Sequence, residues 1–388
     1  MSLLLSPWVL QAEIEIRIDY TYDTNNFFDT DEKRAAIEAV ADFYGSMMND
    51  TLLRIDPADF SQASWTPRIT HPTTGVSPFS VSGLSVVPEN VIIVYVGARE
   101  LGGTTAGRAG PGGWSGSGFD SWFERIRGRG GADADSGTAS ENTDFALWGG
   151  SISFDTPRSW NFSLDSNAPG TEFLKIALHE MGHVLGIGTA DSYDNLLNAG
   201  TFPGGNAVRS NGSAPSADSS HILGGISSSL FGSFGVSHGS SGPVLMLPSS
   251  TDTGSNFDVI TDLDLAVLVD IGWELTPETA FGASTLSPTG VSLNWNSVSF
   301  KEYAVERTDD LSVSPSTVRS AAAGNADTQS WSDPAPPSDA AFYQLVVADI
   351  ATVGGRSVPM EPLEKGAKTS LGTYRTETVD PRFVDCSE

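Results

Sequence analysis

Five of the 388 residues are histidine, and two of them stand four apart with a glutamate between: His179-Glu180-Met181-Gly182-His183. On a helix turning about 100° per residue, His179 and His183 lie about 40° apart round the axis and about 6 Å along it. Two imidazoles so placed converge on one ion. Glu180 falls beside them, where it reaches a water at that ion as general base without being a ligand. Phe173, Leu174, Ala177, Leu178, Met181, Val184 and Leu185 fill the opposite arc, so the helix has a core face separate from its metal face. A pair of satisfied core histidines is the bland alternative. The intervening Glu and the apolar run make it costly, because buried histidines need partners.

The elements needed to hold such a helix are legible around it. Residues 13–22 alternate Ile14, Ile16, Ile18 and Tyr20 with charged residues, the period-two pattern of a half-buried strand. Asp29-Thr30-Asp31 supplies N-cap chemistry for a helix through Met48, with Ala35, Ile37, Val40, Ala41 and Tyr44 at helical spacing. The nearly unbroken apolar run 91–98 suits a strand buried on both faces. Residues 102–144 shift to Gly, Ser, Ala and Asp and read as surface loops round a short helix at 119–127. Residues 148–154 read as a short edge strand, and its stretch 151–154 is either a place for a peptide to bind by strand addition or a merely structural edge. Residues 171–186 form the motif helix, and Thr261 caps a second helix through Trp273. Beyond residue 276, short strands at 291–295, 301–307 and 341–347 alternate with Pro/Ser turns. The Asp/Gly stretch 131–144 lacks the spaced ligands of a calcium loop and reads as a solvated acidic turn.

Composition narrows the partners. There are 21 Lys+Arg against 48 Asp+Glu, a formal net charge of −27, which repels phosphate backbones and anionic lipid and argues against nucleic acid. With 39% hydrophobic residues the chain can build a core. No apolar run reaches the roughly 18–20 residues of a membrane span. The single cysteine, Cys386, cannot form an internal disulfide. Residues 1–12, apolar at Leu3-Leu4-Leu5 and Trp8-Val9-Leu10 and closing on Ala12, read as a truncated or atypical secretion signal.

The stretch from His179 to Gly186 resembles the metzincin metallopeptidases, matrixin-like in particular, whose pattern is H-E-x-x-H-x-x-G-x-x-H followed by a Met-turn. His179, Glu180, His183 and Gly186 match, but Thr189 stands where the pattern has its third His. The resemblance thus implies a third ligand displaced beyond an insertion, an arrangement similar to leishmanolysin-like enzymes and secreted bacterial relatives. His71 precedes the helix, which leaves His221 and His238. Both come before Pro243-Val244-Leu245-Met246-Leu247-Pro248, which resembles the Met-turn, with Met246 as the apolar floor. His221 opens His221-Ile222-Leu223-Gly224-Gly225-Ile226-Ser227-Ser228, similar to the His-x-x-x-Gly-x-x-Ser stretch of relatives carrying the insertion. His238 has the separation from Met246 found in simple matrixins. His221 is favoured, His238 is its rival, and Asp191 is the fallback.

The resemblance implies an α/β fold: a metzincin-type domain over residues 13–276, with a twisted sheet, active-site helix, Met-turn and C-terminal helix. A small β-sandwich-like domain of fibronectin III type is expected over 277–353 and an extended tail over 354–388. It implies a secreted, monomeric zinc endopeptidase acting on peptide or protein substrate, with Zn2+ on His179, His183 and His221 and with Glu180 as base. The rival is a non-catalytic adhesion or binding protein that keeps the same shell. Glu180 favours the enzyme, since a closed structural zinc site has no use for a base.

Overall fold

The computed structural model describes residues 14–131, 134, 142–163, 170–231, 239–248, 260–275, 285–287, 290–310, 312–336, 341–350 and 374–387. The N-terminal stretch read as a secretion signal, His238, and most of the acidic turn within 131–144 lie outside the described residues. Among those described, no helix is long and apolar enough to cross a membrane.

The chain opens with β1 (Glu15–Asp19) and α1 (Asp31–Met47). Thr30 Oγ1 accepts from Lys33 N at the start of α1, and Ile37, Val40, Ala41 and Tyr44 form its buried stripe. After β2 (Ser64–Ile69) and the short β3 (Phe79–Ser80), β4 (Val91–Arg99) runs parallel to β1. Its unbroken apolar run has the expected cause: Ile92, Val94, Val96 and Ala98 enter the core shared with α1. Val91, Ile93 and Tyr95 face a second core with Trp114, Trp122 and Trp148.

Residues 102–144 differ from the surface loops expected. They contain β5 (Thr105–Pro111) and β6 (Gly113–Gly118) ahead of α2 (Asp120–Gly128). The reason is close approach. A Cβ at Gly107 would lie 2.4 Å from Glu180 Oε1, one at Gly110 2.1 Å from the Arg382 carbonyl oxygen, and one at Gly113 2.1 Å from that of Val379. Glycine is required there, and it leaves no side-chain alternation from which a strand is read. Strand β7 (Gly149–Asp155), expected at an edge, is interior. It lies parallel to β4 and antiparallel to β5, with all seven residues buried.

Then come the two-residue strands β8 (Trp160–Asn161) and β9 (Thr171–Glu172), the motif helix α3 (Phe173–Val184), α4 (Asp191–Leu196) and α5 (Gly205–Asn211). They are followed by β10 (Ser227–Ser229), β11 (Ser241–Pro243) and α6 (Asp262–Asp270). Helix α3 packs on β5 and β7 and against α1.

The later strands are β12 (Thr285–Ser287), β13 (Gly290–Asn296), β14 (Lys301–Thr308), β15 (Ser316–Ala323), β16 (Thr328–Ser332) and β17 (Phe342–Asp349). They form two three-stranded antiparallel sheets, β12-β13-β16 and β15-β14-β17. Leu293, Trp295, Tyr303 and Val305 make a small core of their own. Val298 and Phe300, however, belong to the main core, and Ser299 N donates to Asp262 on α6 at 2.9 Å.

The expected extended tail is corrected at its far end. Strand β18 (Arg375–Val379) joins β6, and β19 (Val384–Ser387) joins β5, both antiparallel. The five-stranded sheet therefore reads β1-β4-β7-β5-β19, and a four-stranded one β18-β6-β2-β3. Short strands whose partners lie more than 250 residues earlier carry no local signal of their pairing.

Candidate metal centre

Helix α3 is buried along its length, with His179, Glu180 and His183 all at 2% exposure or less. Its end is set by Gly186, whose φ of +110° lies in the left-handed region open to glycine. Gly186 N bonds the His183 carbonyl at 3.3 Å and Ile187 N bonds that of Gly182 at 3.0 Å, the paired bonds of a Schellman turn. This turn places the Ile187 carbonyl 2.7 Å from His183 Nδ1. Thr189, where the resemblance would have a third His, instead donates its hydroxyl to the His183 carbonyl at 2.6 Å.

His221 reaches the same place from a separate loop. Its N donates to Asp218 Oδ1 at 2.8 Å, its carbonyl accepts from Tyr193 Oη at 3.3 Å, and Ile222 N bonds the Met246 carbonyl at 3.0 Å. Gly188, at φ +71°, lets the loop pass: a Cβ there would lie 2.0 Å from the Ser220 carbonyl oxygen. Ligand atoms of His179, His183 and His221 all lie within 4.8 Å of one another, with ring centroids 4.7–5.4 Å apart. Asp191 stays outside this cluster and pairs with Arg382. His71 is elsewhere, accepting from Thr73 N and Thr74 N through Nδ1.

Beneath the triad, Met246 is fully buried, and a Cβ at Gly182 would come 2.7 Å from its sulfur. The Leu245-Met246 turn is pinned by Asp264. Its carboxylate accepts from Leu245 N (3.0 Å), Met246 N (3.1 Å), Thr261 N (2.9 Å) and Thr261 Oγ1 (2.7 Å). Burial raises the Asp264 carboxyl above its ordinary value, and these hydrogen bonds oppose the rise. The turn so held presents the Leu245 carbonyl to His179 Nδ1 at 2.8 Å. Asp264 was not singled out in the sequence, although Thr261-x-x-Asp264 before an apolar run is a capping-box signature. Here that box also holds the floor of the site. Asp264→Ala is expected to cost about 1–3 kcal/mol for each donor left unpaired. It should also weaken zinc binding roughly 10- to 100-fold, as loss of an outer-shell partner does. Urea denaturation and a zinc titration check both; a wild-type midpoint and affinity would mean the turn is held by something else.

The hydrogen bonds fix the tautomers. A carbonyl only accepts, so Nδ1 carries the proton in both His179 and His183 and each Nε2 presents a lone pair. Burial favours the neutral rings, holding His179 down to about 3, His183 well below the usual range and His221 also lowered. Yet His179 Nε2 and His183 Nε2 stand 3.0 Å apart. Two lone pairs at that distance repel, and His221 Nε2 and both Glu180 carboxylate oxygens are buried without a hydrogen-bond partner. A cation among the three nitrogens removes the repulsion and gives His221 Nε2 a partner. Three neutral imidazoles, each of the two helix rings oriented through Nδ1 by a carbonyl, form a donor set suited to zinc. Burial also drives the Glu180 carboxyl well above its ordinary value, aided by Asp385 and opposed by Arg108.

No curated protein and no solved structure matches the chain. Residues 123–202 match the family model described as Matrixin, a segment that takes in His179, Glu180 and His183 and ends before His221. That segment is matrixin-like, which supports a metallopeptidase of this general family.

Proposed function

We propose that the protein is a zinc-dependent endopeptidase with His179, His183 and His221 as the metal ligands and Glu180 as general base. The observation that carries this reading is the pair of inward-facing lone pairs on His179 and His183, with His221 Nε2 and the Glu180 carboxylate orphaned beside them. When bound, zinc supplies Lewis-acid polarisation of water and of the scissile carbonyl.

The rest of the chemistry belongs to the chain. Glu180, held off the metal by its place on α3, takes the proton from water on one carboxylate oxygen and hands it to the departing amine. Burial raises the Glu180 carboxyl above its ordinary value, so a proton taken up there is held more firmly than on a carboxylate in water. The carbonyls of Leu245 and Ile187 keep two ligands in the required tautomer, and the walls of α3, β5 and Met246 exclude bulk water.

The test is metal analysis of the purified protein together with casein hydrolysis before and after phenanthroline. Stoichiometric zinc and hydrolysis abolished by the chelator and restored by added zinc are expected. Zinc-loaded protein that leaves casein and a mixed peptide library intact would exclude the endopeptidase.

A further inference from the structure

Glu180 lies directly against β5, as the 2.4 Å approach of a Gly107 Cβ to its Oε1 requires. An extended peptide reaching this carboxylate would bind most simply by adding a strand to the free edge of β5, which offers backbone N–H and C=O groups. That edge is already taken. In β19, Val384 stands opposite Ala109, Asp385 opposite Arg108, Cys386 opposite Gly107 and Ser387 opposite Thr105. Helix α3 also touches β19.

Polar contacts tie the same segment across the site. Asp385 Oδ1 lies 2.6 Å from Arg108 Nε. Arg382 Nη1 donates to the Thr189 carbonyl at 2.9 Å and to Asp194 Oδ2 at 3.0 Å, and its other arm pairs with Asp191. Thr189 belongs to the turn that follows His183. Residues 382–387 thus bridge from the strand beside Glu180 to the loop behind the second histidine. What holds them is a short backbone ladder and ion pairs between partly exposed groups. Exposed pairs of this kind contribute little each, so another strand can replace them.

We propose that residues 382–387 are an internal occupant of a peptide-accepting edge on β5, and that the partner this edge fits is an extended peptide carrying Asp or Glu opposite Arg108. The inference rests on the peptidase reading and adds to it a substrate feature and a competitor. Because the occupant is tethered, it competes at an effective concentration on the order of mM. Substrate gains access only in the fraction of molecules whose strand has lifted, and catalysis is throttled by that fraction.

Two full-length variants test this. Arg382→Ala with Asp385→Lys removes the outer anchor and places like charges at the inner one. Hydrogen exchange over residues 105–109 and hydrolysis of casein should both rise, by about tenfold, since each lost pair shifts the equilibrium a few-fold. A free peptide of residues 382–387 at mM concentration should then slow the variant, and its Asp385→Lys counterpart should not. Ala109→Cys with Val384→Cys, on a Cys386→Ser background, joins directly opposed residues at a distance a disulfide can span. Hydrolysis should fall at least about tenfold on oxidation and return on reduction. An oxidised, locked protein that works at the wild-type rate overturns the proposal, whatever the loosened variant does. Absence of hydrolysis from every zinc-loaded form, loosened or reduced, would instead end the peptidase reading itself.

Discussion

Glu180→Gln is expected to retain zinc and fold while losing hydrolysis by roughly a hundred- to ten-thousand-fold, the usual range for a general base. The amide fills the same volume but cannot take a proton from water. Retention of the fold follows from the surroundings: both carboxylate oxygens are buried and make no hydrogen bond, so the substitution breaks no contact. It also removes a group that burial penalises in its charged form. The metal-free variant should therefore be no less stable than the metal-free wild type, a combination typical of a residue kept for chemistry at the expense of stability. Zinc stoichiometry, casein hydrolysis and thermal unfolding of both metal-free proteins check the three parts. Turnover within a few-fold of wild type would remove Glu180 from the mechanism, and loss of zinc would make it part of the metal shell.

The motif helix was legible because its two periodicities are independent. The apolar residues mark one face, His179 and His183 stand on the other, and Glu180 falls between; in the structure the whole of the stretch 179–183 is buried and the two histidines meet His221. The first strand, the Thr30-capped helix and the doubly buried β4 were legible for the same reason, each having a regular spacing of its own. What escaped notice depends on contacts between distant parts of the chain. Gly107 reads as loop composition until Glu180 is seen pressed against it. Asp264 reads as one more acid in a first turn until its carboxylate is found holding the Leu245-Met246 turn. Arg382 and Asp385 look like charges in an unpatterned tail, yet they meet Thr189 and Arg108 at either side of the site. Strand β7 was read as an edge because nothing in its sequence reveals that glycine-rich β5 covers it.

These distant contacts bear on how the molecule divides. The strands after residue 374 complete sheets begun before residue 120, and Val298 and Phe300 sit in the main core. A fragment ending near residue 276 would leave the β5 edge bare and part of that core open. Its activity would report on the loss of β19 as much as on the β-rich segment between.

His221→Ala is expected to abolish stoichiometric zinc binding and hydrolysis together. His179 and His183 would remain on α3, still oriented by Leu245 and Ile187, but two neutral imidazoles do not complete the three-ligand set of a catalytic zinc. The loss should exceed the roughly 10- to 100-fold in affinity that an outer-shell substitution costs. The fold should survive, since the loop is also held through backbone groups: Tyr193 Oη on the His221 carbonyl, Asp218 on His221 N, and Met246 on Ile222 N. Burial already disfavours the charged ring, so the substitution removes a desolvated polar side chain whose Nε2 has no hydrogen-bond partner. The contrast is His238→Ala, at a position outside the described residues, which should leave zinc content at the wild-type level. Zinc analysis after dialysis at equal metal activity, with circular dichroism to follow the fold, separates the two. Full zinc in His221→Ala with loss in His238→Ala would transfer the third ligand to His238; full zinc in both would break the histidine triad as the metal site.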